Sequence, residues 1–573
     1  MTRTDNPLDA CKAWLSENGA IFPSLSFKAS RSGCESRGRG LFTTDPITLE
    51  EGKTIAAVPA KLVINTSLII RIAKYGRTTP AKKLGQCMDG LRIGGLSTEG
   101  AAWERVCLLV FLLWGWVYSE QLREETGKEQ DNCEIVEEDP ALSIDFWLPY
   151  VRILPDIDDL DTPVFWSGSP ALSLLRGTEL DDAVRAKKLK LSREYSEVLP
   201  HLSILDDAKG RITLERFMWA DGVFWSRVLS FGSASEGTET TTSDDYHLVP
   251  LVDFCNHSFD QHIGWHVSES TSCRVELRAV DMAVGEIAAD TELFISYGQK
   301  PNSELLFIHG FVVPENPFET LIVPAPFIEG SSVQFEADDD EESEERELGE
   351  EAEIEREERK MQRIGAQIAI KDKLQFLSLL GLRRVIDISR PPMSSNVEED
   401  EQGEIEIDMN DPTKGLLTDD GLLVMYVSVL TAEDGFGRTD AGGPRDNPEY
   451  NLGGHKIFPL TKETFSALVQ ALPHYEVIRL RVFAVLLDMI NFRLYELSGE
   501  YTQGRPTRTA PLGEGDVITT EDVRLIKVEV FREGQYDLLV AAFGLLQTLQ
   551  ERWAEFDVVQ EYLTAMQAGF DDE

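Results

Sequence analysis

The period of the apolar positions changes several times along the chain, and each change predicts a different kind of element. Between 38 and 67, "GRGLFTTDPITLEEGKTIAAVPAKLVINTS", Gly-rich turns alternate with short β-like runs, which predicts small strands. From about 68 to 230 the text is mainly helical. Its run "VCLLVFLLWGWVY" (106–118) is shorter than the roughly 20 residues a membrane span needs and predicts a buried helix. Strand-like text returns at 246–256, at "CRVELRAV" (273–280) and at "TELFISYG" (291–298). The first half therefore reads as β pieces split by a helical insert. Farther on, Val477, Leu480, Ala484, Leu487 and Leu494 share one face at helical spacing, as do Leu538, Ala542, Leu545 and Leu549. They predict a separate helical domain, interrupted by a polar, Gly-rich stretch around 431–454. No internal repeat is visible.

Length and charge sharpen this picture. At 573 residues the chain exceeds one ordinary core, and a prior of roughly 100 to 200 residues per domain predicts two or three. Lys and Arg number 55 against 100 Asp and Glu, a formal net charge of −45. Such a surface repels phosphate and attracts cations, which argues for a basic protein partner and against direct contact with nucleic acid. Within 336–360, "EADDDEESEERELGEEAEIEREERK", almost nothing is available to bury, so an acidic linker is expected there. The seven cysteines are scattered and never spaced as CxxC, which points to a reducing compartment and gives no metal site. The first twenty residues lack the pattern of a signal peptide. The expectation is a monomer in the cytoplasm or nucleus, away from membranes.

Candidate chemistry gathers in three places. "LVDFCNHSFD" (251–260) sets Asp253, Asn256, His257 and Ser258 within six positions at the end of an apolar run. Taken alone, such a cluster is as readily a turn, since Asn and Ser close strands. Some forty residues on, "ELFISYGQKPNSELLFIHGFVVPENP" places Tyr297 before Gly298 and a polar turn. Near the N-terminus stands "RGRGLF".

These pieces together resemble the SET-domain protein methyltransferases, and their arrangement is similar to the subgroup typified by the Rubisco large-subunit lysine methyltransferase. The likeness extends through "FWLPYVRILP", "LLRGTEL", "FMWADGVFWSR", "DFCNHS", "ISYGQKPNSELL" and "HGFV". It implies an α+β fold: a β-rich SET domain at 20–320 with its helical insert at about 68–230, the linker at 336–360, and an all-helical substrate-binding domain at 361–573. It implies S-adenosylmethionine as cofactor, held by Arg37, Gly38, Arg39, Gly40, Asn256 and His257, with Arg227 pairing the cofactor carboxylate. Glycines allow a backbone to approach a ligand closely, and Asn and His supply hydrogen bonds suited to a zwitterion and a purine. Tyr297 matches the catalytic tyrosine. Asp253 matches a carboxylate at the substrate end of the pocket, with a capping Asp as the plainer alternative.

Trp265 offers an aromatic wall for a cation, or ordinary packing. His309 stands where relatives have Tyr in "YGF", and an unperturbed imidazole there, of pKa about 6.5, would titrate near neutrality. The implied activity is lysine methylation of a non-histone protein, with ribosomal or translation proteins favoured. Histidine methylation and a catalytically weak scaffold are the alternatives.

Overall fold

The computed structural model describes residues 6–571 apart from 33–34, 95–99, 126–136, 232–244, 269–273, 281–284, 327–368, 392–412, 440–447 and 499–518. The expected acidic linker at 336–360 lies outside the described residues, as do Cys34, Cys133 and Cys273.

Of the short strands before residue 60, three take a partner more than 200 residues later. Leu25–Ser32 pairs antiparallel with Glu35–Thr43, whose other edge takes Glu292–Leu293. Thr54–Pro59, Arg274–Ala279 and Ile263–Ser268 form a second antiparallel sheet, and Ile47–Leu49 pairs with Gly285–Ile287. Between them lies the helical insert, whose longer helices are Thr66–Tyr75, Thr79–Ile93, Gly100–Glu125, Ile144–Val151, Glu179–Leu202 and Leu214–Arg227. Asn65, Thr78, Ser143 and Thr213 start four of these helices by accepting an otherwise orphaned backbone N–H. Within the third insert helix, Gly100–Glu124 is long and apolar enough to cross a membrane on length and composition alone. Residues 107–114 along it are nevertheless all buried in the core against the neighbouring helices.

The expected strand at 246–256 is mostly not one. Only Tyr246–His247 pairs, with Leu229–Ser230. Leu248 bridges Ile64, Leu251 takes φ +83°, and Val252–Phe254 is a 3-10 turn. The apolar run is continuous because tertiary packing buries all sides of an irregular segment, which sequence periodicity does not distinguish from a buried strand. Phe254 stacks on Phe27 at 4.7 Å and so fastens this turn to the first strand.

A second core begins at the strand Thr320–Pro324, which pairs with Val385–Ser389. It continues through helices at 369–379, Asp419–Val429, Lys462–Gln470, Tyr475–Ser498, Thr520–Trp553 and Asp557–Asp571. The all-helical expectation needs correction here. Besides Val385–Ser389, the polar Gly-rich interruption supplies a small sheet of Gly437–Arg438, Tyr450–Leu452 and His455–Lys456. Helices still dominate, and Val477, Leu480 and Leu487 are buried as their spacing required.

A third, smaller core joins the two. Trp166, Leu175 and Leu180 of the insert pack with Leu306 and with Val528 and Phe531 of the long helix Thr520–Trp553.

Candidate active site

Four stretches distant in sequence converge beside Tyr297. The 255–258 segment runs alongside 295–297: Ile295 N donates to Asn256 O at 3.0 Å, and Ser258 N donates to Ile295 O at 3.0 Å. This pairing brings two side-chain interactions with it. His257 Nδ1 accepts the Tyr297 amide at 3.0 Å, and the Tyr297 hydroxyl donates to the Cys255 carbonyl at 2.9 Å. Both ends of the tyrosine are thus held by the Cys-Asn-His run. Burial, with the Cys255, Asp253 and Glu292 side chains adding to it against Arg227, raises the phenol well above its ordinary pKa. Tyr297 is therefore a neutral hydroxyl at physiological pH.

Rings surround that hydroxyl-bearing side chain. His257 stacks on Tyr297 at 5.2 Å, His309 lies 4.6 Å from it, and Phe311 lies 6.5 Å away. His309 ends a π-helical turn, Leu305–His309, closed by Gly310 at φ +78°. Turns of this kind insert an extra residue into a helix and re-aim the residues beyond it. His309 is half-buried, and burial, helped by the nearby His257 and Lys300, lowers its pKa to about 3. The expectation of a titration near neutrality is thereby corrected: this imidazole stays uncharged across the physiological range.

Behind the tyrosine lies a charged floor. The Asp253 side chain is fully buried, accepts from the Tyr150 hydroxyl at 2.6 Å and sits 3.5 Å from Arg227 Nη1. The same Nη1 donates to the Asp253 carbonyl at 2.6 Å. Burial raises the Asp253 carboxyl, and Arg227 and Tyr150 offset only part of that rise. The plainer capping role does not describe it, since its side chain is turned to Tyr150 and Arg227. Arg227 is correspondingly less available than expected, because one of its nitrogens is already committed within the protein. Asp253 Oδ1 and Arg227 Nε are buried without a protein partner.

The early glycine turn forms the remaining side. Gly38 takes φ +72° with open space beside it. Gly40 lies so close to the Glu292 carboxylate that any Cβ would overlap it. Glu292 in turn accepts from Asn256 Nδ2 at 2.7 Å and from Ser30 Oγ at 2.7 Å, and Asn256 Nδ2 also reaches Arg39 O at 3.4 Å. Asn256 therefore laces the glycine strand to the 292 strand, a role the sequence did not suggest. The Arg39 side chain donates to the Ile153 carbonyl, and burial followed by repulsion from Arg227 lowers its pKa. Arg37 belongs to the same strand, and its side chain lies outside the described residues.

The structure thus brings together Gly38, Arg39, Gly40, Arg227, Asp253, Asn256, His257, Tyr297 and His309. Trp265 stands apart: its ring neighbour is Phe231 at 5.7 Å, which stacks on His247 at 3.7 Å, so the packing alternative holds. Tyr150, Glu292, Phe311 and the Cys255 carbonyl were not anticipated. Tyr150 and Phe311 fall inside "FWLPYVRILP" and "HGFV", which was the available signal. A backbone carbonyl leaves none.

No family model matches the chain. Among curated proteins it is similar to ribosomal lysine N-methyltransferase set10 of Schizosaccharomyces pombe, 30% identical over 175 residues covering 30% of this chain and 29% of that protein. N-lysine methyltransferase setd6 of Xenopus laevis is 28% identical over 186 residues, covering 31% and 39%. Protein-lysine N-methyltransferase EFM1 of Saccharomyces cerevisiae is 23% identical over 374 residues, covering 58% and 55%. The matches thus span about a third to about half of these relatives' lengths. Among solved structures, the SET domain of LSMT bound to methyllysine and AdoHcy superposes with a TM-score of 0.56 at 17% identity, over 97% of this chain and 95% of that one. Rubisco LSMT bound to AdoMet gives 0.53 at 17% identity, over 97% and 95%.

Proposed function

From a chain with the fold of the Rubisco LSMT SET enzymes, we propose a protein-lysine methyltransferase that uses S-adenosylmethionine. The observation that carries this reading is the Tyr297 side chain, half-buried, with its hydroxyl on the Cys255 carbonyl and its ring among those of His257, His309 and Phe311. The cofactor, when bound, supplies an electrophilic methyl group on a sulfonium. The residues present suit such a ligand: the open space beside Gly38 admits a close backbone approach, and Arg227 Nε and Asp253 Oδ1 are buried polar atoms still lacking protein partners. Gly38, Arg39, Gly40, Arg227, Asn256 and His257 are the proposed cofactor contacts, with Arg37 beside them in sequence.

Methyl transfer is an in-line displacement, so the protein's task is alignment and a suitable field. The Tyr297 oxygen, its proton donated to Cys255 O, keeps lone pairs that can complement a dispersing positive charge. The attacking lysine must be neutral, and a free amine has a pKa of about 10.4. Half-buried aromatic surroundings favour loss of its proton by desolvation. Asp253 is proposed to act through the floor, by holding Tyr150 and Arg227, with no direct contact to the amine. His309, neutral and 4.6 Å from Tyr297, offers the amine a hydrogen-bond acceptor.

The net charge of −45 favours a basic protein substrate, and a relative named for ribosomal lysine methylation puts ribosomal proteins first. The test is to incubate a methyl-depleted lysate with the chain and labelled S-adenosylmethionine, with Tyr297→Phe in parallel, and to sequence the labelled peptides. Methyllysine that appears only with the wild type supports the reading. Methylhistidine would transfer it to the histidine enzymes, and cofactor binding without any labelled product would leave a scaffold.

A further inference from the structure

The turn that carries His309 is gripped from outside the β region. Leu306 and Phe307 pack against Trp166 of the insert and Val528 and Phe531 of the long C-terminal helix. Gly310, which closes the turn, sits so near residue 161 that an added Cβ would lie 2.5 Å from the Asp161 carbonyl oxygen. The Asp161 backbone is thus the shelf on which the end of the turn rests.

That shelf is fixed from the far domain. The Asp161 carboxylate accepts from Trp166 Nε1 at 2.8 Å, Arg524 Nε at 2.6 Å and Lys527 Nζ at 2.8 Å. Burial raises this carboxyl, but Lys527 first and Arg524 with it outweigh burial and hold it below the usual carboxylate range. Lys527 is 5% exposed, so its charge meets the Asp161 carboxylate in a setting that screens it little.

Given the methyltransferase reading above, on which this rests, we propose that Lys527 is a positioning residue for the acceptor pocket. Through the Asp161 carboxylate it fixes the shelf under Gly310, and so sets where His309 stands against Tyr297. The C-terminal helix is then a wall of the active site as well as part of a separate domain. Removing the ammonium leaves a half-buried carboxylate with one cation fewer, and the shelf relaxes toward Arg524. A shift of about 1 Å near reacting groups lowers rates by up to about 100-fold.

Lys527→Met keeps the length and apolar stem while deleting the charge. Arg532→Ala serves as its control, because Arg532 donates from the same helix to the carbonyls of Leu174, Arg176 and Leu497 without touching Asp161. The full-length wild type and both variants are compared by kcat, by mono-, di- and trimethyl product ratio, by S-adenosylmethionine affinity, and by hydrogen exchange of residues 303–312. The expected result for Lys527→Met is a kcat lower by about tenfold or more, an altered product ratio, faster exchange in 303–312 and a cofactor Kd within about twofold of wild type. Arg532→Ala should lower Tm yet keep the wild-type product ratio and exchange in that segment. Wild-type kcat, product ratio and exchange in Lys527→Met would overturn the proposal, as would equal changes in Arg532→Ala. If the wild type transfers no methyl group to any protein, the functional reading fails, and the exchange comparison alone decides whether Lys527 holds the turn.

Discussion

The Tyr297 hydroxyl donates to a backbone carbonyl, and burial keeps it protonated, so Tyr297→Phe deletes one hydrogen bond and one oxygen without opening a cavity. Stability should fall by about 1 kcal/mol, read by urea titration. Turnover should fall much further, with cofactor affinity unchanged by calorimetry, since the oxygen acts on the developing charge more than on the ground state. Unchanged turnover would remove Tyr297 from the mechanism. His309 supports a second expectation, and its sign is definite. In the unfolded chain it takes a proton at about pH 6.5, and in the folded protein only at about 3. The unfolded state therefore binds more protons between those values, and stability is lost as pH falls through that window. The drop in urea midpoint from pH 7.5 to pH 5 should be larger for wild type than for His309→Tyr, which lacks this contribution. The acid side of the turnover profile should then follow the substrate amine, with the same shape in both proteins, while the product ratio shifts in the variant.

At the level of elements, two glycines are required by close approach. Gly310→Ala combines a left-handed φ of +78° with a Cβ placed 2.5 Å from Asp161 O. A cost of at least about 1–3 kcal/mol is expected from the backbone alone, visible as a lower Tm. Gly40→Ala acts differently: its Cβ displaces Glu292, and Glu292 is what holds Asn256 and Ser30. Weaker cofactor binding than in Asn256→Ala is expected, because the alanine at 40 disturbs the strand and the amide together. Calorimetry on the two variants decides it, and equal affinity to wild type in both would mean that the glycine strand and the Asn-His run do not form the cofactor cleft. The helical elements were legible in the sequence because their 3.6-residue stripes meet continuous cores. The 246–256 segment was not, since an irregular chain buried on every side carries the same apolar run as a buried strand.

For the whole molecule the formal charge of −45 makes encounter with a basic substrate dependent on ionic strength. Raising salt from about 0.01 to about 0.15 M shortens the Debye length from about 30 to about 8 Å. KM for a basic protein should rise across that range while KM for a short uncharged peptide bearing the same lysine stays level. Deleting 336–360 should flatten this dependence and leave peptide turnover nearly intact. Collapse of peptide turnover instead would place that segment within a folded unit.

What the sequence determined by itself is what local pattern carries: helices with a buried stripe, strands that begin before residue 60 and resume at Arg274–Ala279 and Glu292–Leu293, and a motif set around Asn256, His257 and Tyr297. Those features depend on neighbours within a few positions, or on short recurrent motifs. Tertiary structure decided the rest. Tyr150 meets Asp253 across 103 positions, and Lys527 meets Asp161 across 366. His309 is neutral because of what packs around it, and Trp265 meets Phe231 across 34 positions of chain. Burial, charge pairing and hydrogen-bond direction are properties of assembled surfaces, and no residue carries them until its distant partners have been brought to it.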